Sequence, residues 1–79
     1  MSDARAATLD LLARRAAGAT ICPSEVARAL SPEDWRGAMP IVHAAIDRLV
    51  REGVVRLSWK GQRLPTRSGP YRIGLPGDD

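Results

Sequence analysis

Two groups of residues in this sequence have the types and spacing for chemistry: His43 with Asp47, and Cys22. His43 and Asp47 lie four residues apart, so on a helix they share a face, where a carboxylate can orient an imidazole for proton transfer. Cys22 precedes the helix-start pattern Pro23-Ser24, where a helix dipole can activate a thiol. Neither group has a recognisable nucleophile, base and orienting partner together. We therefore predict a surface ion pair, a capping or buried cysteine, and no enzyme.

The composition excludes several other kinds of site. One cysteine and one histidine are too few for a zinc site, and one thiol cannot close an internal disulfide. We therefore predict no metal, no cofactor and a cytoplasmic location. No run of apolar residues has the length of a membrane helix, so no membrane partner is expected. Only three aromatic residues are present, which is too few for a platform that stacks single-stranded nucleic acid.

Charge is distributed unevenly along the chain. Residues 1–53 hold seven arginines and seven acidic residues, whereas residues 54–75, the basic segment, hold five cations and no acid. These five are Arg56, Lys60, Arg63, Arg67 and Arg72. Such asymmetry indicates a polyanionic partner, although a run of charges is also typical of a merely solvated face. Double-stranded DNA is the partner predicted here.

Hydrophobic periodicity predicts two helices in the first part of the chain. The first covers residues 3–16, ends before Gly18, and is expected to turn five residues inward. Those five are Ala6, Leu9, Leu12, Ala13 and Ala16. The second begins at Pro23, because proline fits the first helical position, and is about two turns long.

The next segment predicts a short helical turn and then the best-patterned helix. Ser31-Pro32 repeats the helix-start signal, Trp35 follows as a core anchor, and Gly37 is expected to break the turn. Residues 40–52 then form a helix whose apolar stripe has no defect. That stripe consists of Val42, Ala45, Ile46, Leu49 and Val50.

After Gly53 the apolar period changes from that of a helix to that of a strand. Residues 55–59 and 71–75 alternate as two strands of a hairpin, with Trp59 expected at the core, and residues 19–21 add a short third strand. The order predicts an α+β winged helix-turn-helix, three helices followed by a β-hairpin wing. A single domain would cover residues 1–79, with an ordered core at about 3–75 and a frayed tail at 76–79.

This fold assigns candidate nucleic-acid-binding residues. The helix beginning at Pro40 would be the recognition helix, and residues 60–68 the wing. We expect binding led by the wing and directed mostly to phosphates, because the helix offers few residues that read base edges. The candidates are Lys60, Arg63, Arg67, Arg48, Arg51, Arg56, His43 and Ala44. Asp47 would oppose binding unless His43 or Arg51 neutralises it.

Four short motifs can be compared with known families: Thr20-Ile21-Cys22-Pro23-Ser24-Glu25-Val26-Ala27-Arg28, Trp35-Arg36, Met39-Pro40, and Gly69-Pro70 with Arg72. They resemble a small bacterial family catalogued as domain of unknown function 3253. The resemblance spans about residues 9–75, and its first motif is the most specific. Leu64-Pro65-Thr66 departs from the polar, acid-containing stretch expected in the wing. The resemblance implies a winged-helix fold and no assigned activity.

A second class of function is a protein-interaction or dimerisation module that binds no nucleic acid. Many helix faces that are weakly charged and rich in alanine pack against other proteins, and Ile41 beside Ala44 would be the sign of such a face. Dimerisation would also help a DNA-binding domain this small, because one module buries little interface. A homodimer is therefore a second predicted partner arrangement.

Overall fold

The computed structural model describes residues 3–16 and 18–76, which form three helices and four strands. In chain order these are α1 (Asp3–Ala13), β1 (Thr20–Ile21), α2 (Pro23–Leu30), α3 (Trp35–Arg51), β2 (Arg56–Trp59), β3 (Gln62–Leu64) and β4 (Arg72–Gly74). The strands form one antiparallel sheet in the order β1-β4-β2-β3. The prediction of an α+β fold with three helices and a small sheet is confirmed. Residues 77–79 of the predicted tail lie outside the described residues.

Helix α1 is shorter than predicted and turns a different face inward. It ends at Ala13, and its buried residues are Ala4, Thr8 and Leu12, spaced by four. The prediction that Ala6, Ala13 and Ala16 face inward is wrong, because all three are exposed. Thr8 can be buried because its hydroxyl donates to the carbonyl of Ala4 at 2.7 Å. A threonine whose hydroxyl is hydrogen-bonded thus lies on the buried face of α1, where hydrophobicity alone predicts alanine.

Helix α3 is one continuous helix, so the predicted break at Gly37 and start at Pro40 are wrong. Asp34 caps the helix by accepting a hydrogen bond from the Gly37 amide at 3.3 Å. A Cβ at Gly37 would meet the Asp34 carboxylate at its present position, so glycine allows this close approach. Pro40 lies on the exposed side, where water can satisfy the carbonyl of Arg36 that a proline leaves without its helical donor.

The buried side of α3 follows the predicted stripe. Val42, Ala45, Ile46 and Leu49 are buried, and Val50 is half-buried against the same core. Ile21, Leu57 and Ile73 meet them from the sheet and are also fully buried. Trp35 is half-buried at the edge of this core, and Trp59 is 38% exposed, so the placement of Trp59 in the core is wrong. Among the described residues, no helix has the length and apolar character needed to span a bilayer.

The basic segment forms three strands instead of the two predicted. Lys60 and Gly61 both have positive φ, so the chain reverses within two residues and Trp59 pairs directly with Gln62. We call this β2–β3 unit the outer hairpin. Residues 65–71, the return loop, then bring the chain to β4, which pairs with the other edge of β2. The expected pairing of residues 19–21 is confirmed, since Ile21 lies opposite Ile73 in β4.

Candidate nucleic-acid interface

The exposed face of α3 lies opposite its buried stripe and is rich in arginine. Arg36, Arg48 and Arg51 are exposed, as are Ile41 and Ala44. The side chain of Arg48 is 77% exposed and makes a long contact of 4.0 Å with Glu52. Asp47 is the single carboxylate between residues 35 and 51. The charge of this face therefore depends on what Asp47 binds.

Asp47 is neutralised from the return loop. The Arg67 guanidinium donates from Nε to Oδ1 at 2.9 Å and from Nη2 to Oδ2 at 3.0 Å, a bidentate pair. The hydrogen bond from Arg67 lowers the pKa of Asp47, and the same bond raises the pKa of Arg67. The sequence predicted that His43 or Arg51, each within about one helical turn, would neutralise Asp47. The partner instead lies twenty residues away, and no local pattern points to it.

His43 is likewise engaged by the return loop and not by Asp47. Its Nδ1 lies 2.6 Å from the Tyr71 hydroxyl, and the two rings pack with centroids 5.6 Å apart. Burial raises the pKa of Tyr71 to about 12, and burial, with help from Arg67, lowers the pKa of His43. At neutral pH this hydrogen bond therefore joins a neutral phenol to a neutral imidazole. His43 and Asp47 thus act as two separate anchors for the return loop.

The structure separates the five cations of the basic segment into different roles. Arg72 donates to the hydroxyl of Thr20 at 2.7 Å and to its carbonyl at 3.0 Å, so it fastens β4 to β1. Arg67 is engaged by Asp47, and Arg56 is half-buried on β2. Lys60 at the turn and Arg63 on β3 are exposed. In the basic segment, fewer cations are therefore free to bind a partner than the five counted in the sequence.

Two adjoining grooves nevertheless bring several candidates to one side of the domain. An open groove of about 420 Å³ lies between α3 and the return loop, with Arg51 and Arg67 on its walls. A neighbouring groove of about 310 Å³ includes Arg56 and Arg63. Both grooves share the side chains of Val50 and Pro65, so these arginines surround a continuous surface.

Cys22 has a structural position at the start of α2. It is the N-cap residue, and its backbone N–H donates to Oε2 of Glu25 at 2.7 Å. The other carboxylate oxygen of Glu25 binds Arg15. Within residues 3–16 and 18–76, no cluster of three metal-ligating side chains occurs.

Two arginines that the sequence did not mark as binding candidates lie beside Trp35. The guanidinium carbons of Arg28 and Arg36 are 4.7 and 4.6 Å from the centroid of its ring. The neighbouring pair Trp35-Arg36 gave a local signal, but Arg28 belongs to α2, and only the packing of α2 on α3 brings it to the indole.

No curated protein matches this chain. A family model described as Protein of unknown function (DUF3253) matches residues 2–76 of the 79 residues, and the chain belongs to that family.

Proposed function

We propose that this domain is a bacterial winged helix-turn-helix that binds double-stranded DNA, with α3 against the duplex and the outer hairpin as the wing. The strand order supports this arrangement, because β1, β4 and β2 lie side by side in the sheet. Along the chain, the wing segment lies between β2 and β4. The short connection at residues 31–34 places α3 directly after α2. In a bacterial cell, this function places the protein in the cytoplasm, where the chromosome lies.

The observation that carries the proposal is the charge balance of α3. The helix presents three exposed arginines, and its single carboxylate is held by Arg67. A basic surface without an uncompensated acid is what the phosphate backbone of DNA attracts. Arg67 therefore contributes in this proposal by neutralising Asp47, which would otherwise repel DNA. This role replaces the phosphate contact predicted for Arg67.

Phosphate contacts are assigned to both α3 and the outer hairpin. Arg48 and Arg51 supply them from the helix, and Lys60 and Arg63 supply them from the hairpin. Each neutralised phosphate adds about 0.9 to the slope of log affinity against log salt, so these four account for about 3.6. Because Arg67 and Arg72 of the basic segment have other partners, we assign α3 a larger part than the wing-led prediction gave it.

Sequence readout is expected to be limited. Ala44 is exposed at the middle of α3 and can contact a thymine methyl, while Arg48 can reach a guanine edge. His43 is held by Tyr71 through Nδ1, so only its Nε2 remains for a base or phosphate. Arg56 supports the groove surface from β2. Affinity for duplexes of different sequence should therefore differ little.

A salt titration of binding to generic duplex DNA tests the proposal. The paired variants R48A/R51A and K60A/R63A should each flatten the log–log slope by about 1.8. R14A is the matched control, because Arg14 is an exposed arginine that pairs with Asp10 on α1. A wild-type slope indistinguishable from zero at low salt would contradict DNA binding.

A second candidate function, a protein-interaction or dimerisation module, is favoured by one specific feature. Ile41 is 61% exposed and borders an open groove with Leu30 and Ala38, rimmed by Asp3 and Asp34. Sedimentation of wild type and I41K over a range of concentrations tests it. A mass that rises with concentration in wild type and not in I41K supports this candidate, and a strict monomer contradicts homodimerisation.

A further inference from the structure

The Trp35 cluster, formed by Arg28, Trp35 and Arg36, is a charged surface to which the proposed interface assigns no phosphate contact. Both guanidinium carbons lie within 4.7 Å of the indole centroid, at the distance of a cation–π contact. Arg28 belongs to α2 and Arg36 to the first turn of α3, and both are exposed. The indole thus contacts two arginines from different helices.

The two guanidiniums keep hydrogen-bond donors for a ligand. Each carries five N–H donors, and both side chains are exposed. Within residues 3–16 and 18–76, neither Arg28 nor Arg36 forms an ion pair with a carboxylate. Two cations fixed in place with free donors are suited to an oxyanion.

The nearest carboxylates in sequence have other partners. Glu25 binds Arg15 and the Cys22 amide, and Asp34 accepts from the Gly37 amide. Glu33 is exposed in the connection between the helices. Arg15 therefore compensates the charge of Glu25, whereas Glu33 and Asp34, whose partner is a neutral amide, keep their charge.

The position of the cluster along α3 indicates which anion it would meet. Arg36 and Arg51 are fifteen residues apart, a rise of about 22 Å along a helix. The major groove of DNA is about 12 Å wide. A helix crossing that groove with cations at both ends reaches the phosphates of both strands. We propose that Arg28 and Arg36, held by Trp35, contact backbone phosphates across the groove from those bound by Arg48, Arg51 and the hairpin.

This inference rests on the proposed function, and salt dependence can test it separately. Binding of duplex DNA is titrated with salt for wild type, R28Q, R36Q and the double variant. Each single variant should flatten the log–log slope by about 0.9 and the double by about 1.8. R28K/R36K keeps both charges and should keep the wild-type slope. R14Q removes an exposed arginine of α1 and should leave the slope unchanged.

The outcomes distinguish this inference from the proposal beneath it. If R28Q/R36Q keeps the full wild-type slope while R48A/R51A loses about 1.8, the inference is wrong and the proposed function stands. If wild type shows no salt-dependent binding, both are wrong. Thermal melts establish that the variants fold, and the single substitutions decide the matter if the double variant does not fold. A slope lost equally in R28K/R36K and R28Q/R36Q would indicate a stacking role and overturn the phosphate contacts.

Discussion

The exposed face of α3 and the basic segment both hold several arginines, but they differ in how much of that charge faces solvent. On α3 the arginines are exposed and the one acid is neutralised from elsewhere. In the basic segment, Arg67 neutralises that acid and Arg72 fastens two strands together. Charge counted along a chain is therefore a poor measure of charge presented by a surface, because tertiary contacts redistribute it.

The largest effect is expected from the buried side of α3, which holds its arginine face in position. Ile46 is fully buried where the helix meets the sheet. Ile46→Ala should lower the free energy of unfolding by about 2–5 kcal/mol, because it leaves a cavity in a small core. Urea denaturation measures this. Ile41→Ala, on the exposed side of the same helix, is the control and should change stability by less than about 1 kcal/mol.

The Tyr71 anchor of the return loop should give the next largest effect. Burial raises the pKa of Tyr71 to about 12, so the folded state keeps its proton where the unfolded chain, with a pKa of about 10, loses it. The stability linked to Tyr71 is thus present below pH 10 and lost as the pH rises towards 12, amounting to about 2–3 kcal/mol. The chain has one tyrosine, so phenolate absorbance follows this group alone. A midpoint near 10 in the folded protein would contradict the prediction, and Tyr71→Phe should remove the alkaline loss.

The ion pair between Arg67 and Asp47 tests the comparison most directly. Both side chains are partly exposed, so a double-mutant cycle should give only about 0.2–1 kcal/mol of stability. Arg67→Gln should nevertheless weaken DNA binding, because it leaves an uncompensated carboxylate on α3. Asp47→Asn in the same chain should restore most of that binding. Equal loss of binding in R67Q and R67Q/D47N would instead assign Arg67 a phosphate contact of its own.

The smallest effect is expected from His43. Burial lowers the pKa of His43 in the folded protein. Below about pH 6.5 the unfolded chain therefore binds a proton more readily than the folded protein does. The stability linked to His43 is therefore present above about pH 6.5 and decreases as the pH falls through the folded pKa. Melting temperatures between pH 5 and about 8 measure this slope. It should be absent in His43→Gln, and an equal slope in both proteins would show that another group is responsible.

Sequence patterns predicted the parts of this fold that depend on local periodicity. The stripe of α3 from Val42 to Leu49 follows from helical spacing, and the strand at Thr20–Ile21 follows from the expected order of elements, in which it lies beside the hairpin. The continuous start of α3 was missed, because glycine and proline normally end helices, whereas Asp34 here caps the amide of Gly37. The turn at Lys60 was missed because lysine rarely adopts positive φ.

The candidate interface was predictable only in outline. The basic character of residues 54–75 and the exposure of Arg48 and Arg51 were evident from the sequence. The partners of Arg67 and Arg72 were not, since each joins positions that are far apart in the chain. The same holds for Arg28, which reaches Trp35 only through helix packing. Local spacing carries no information about such contacts.

Strand β3 forms one margin of the sheet, and this has a consequence for solubility. An edge strand has unpaired backbone N–H and C=O groups, which can pair with a strand of another chain and begin aggregation. Here the strand is three residues long, carries Gln62 and Arg63, and is followed by Pro65, all of which discourage such recruitment. Arg63 therefore has a reason to be basic that is independent of any partner. Lys60, which lies in the turn, is accordingly the cleaner probe of what the hairpin binds.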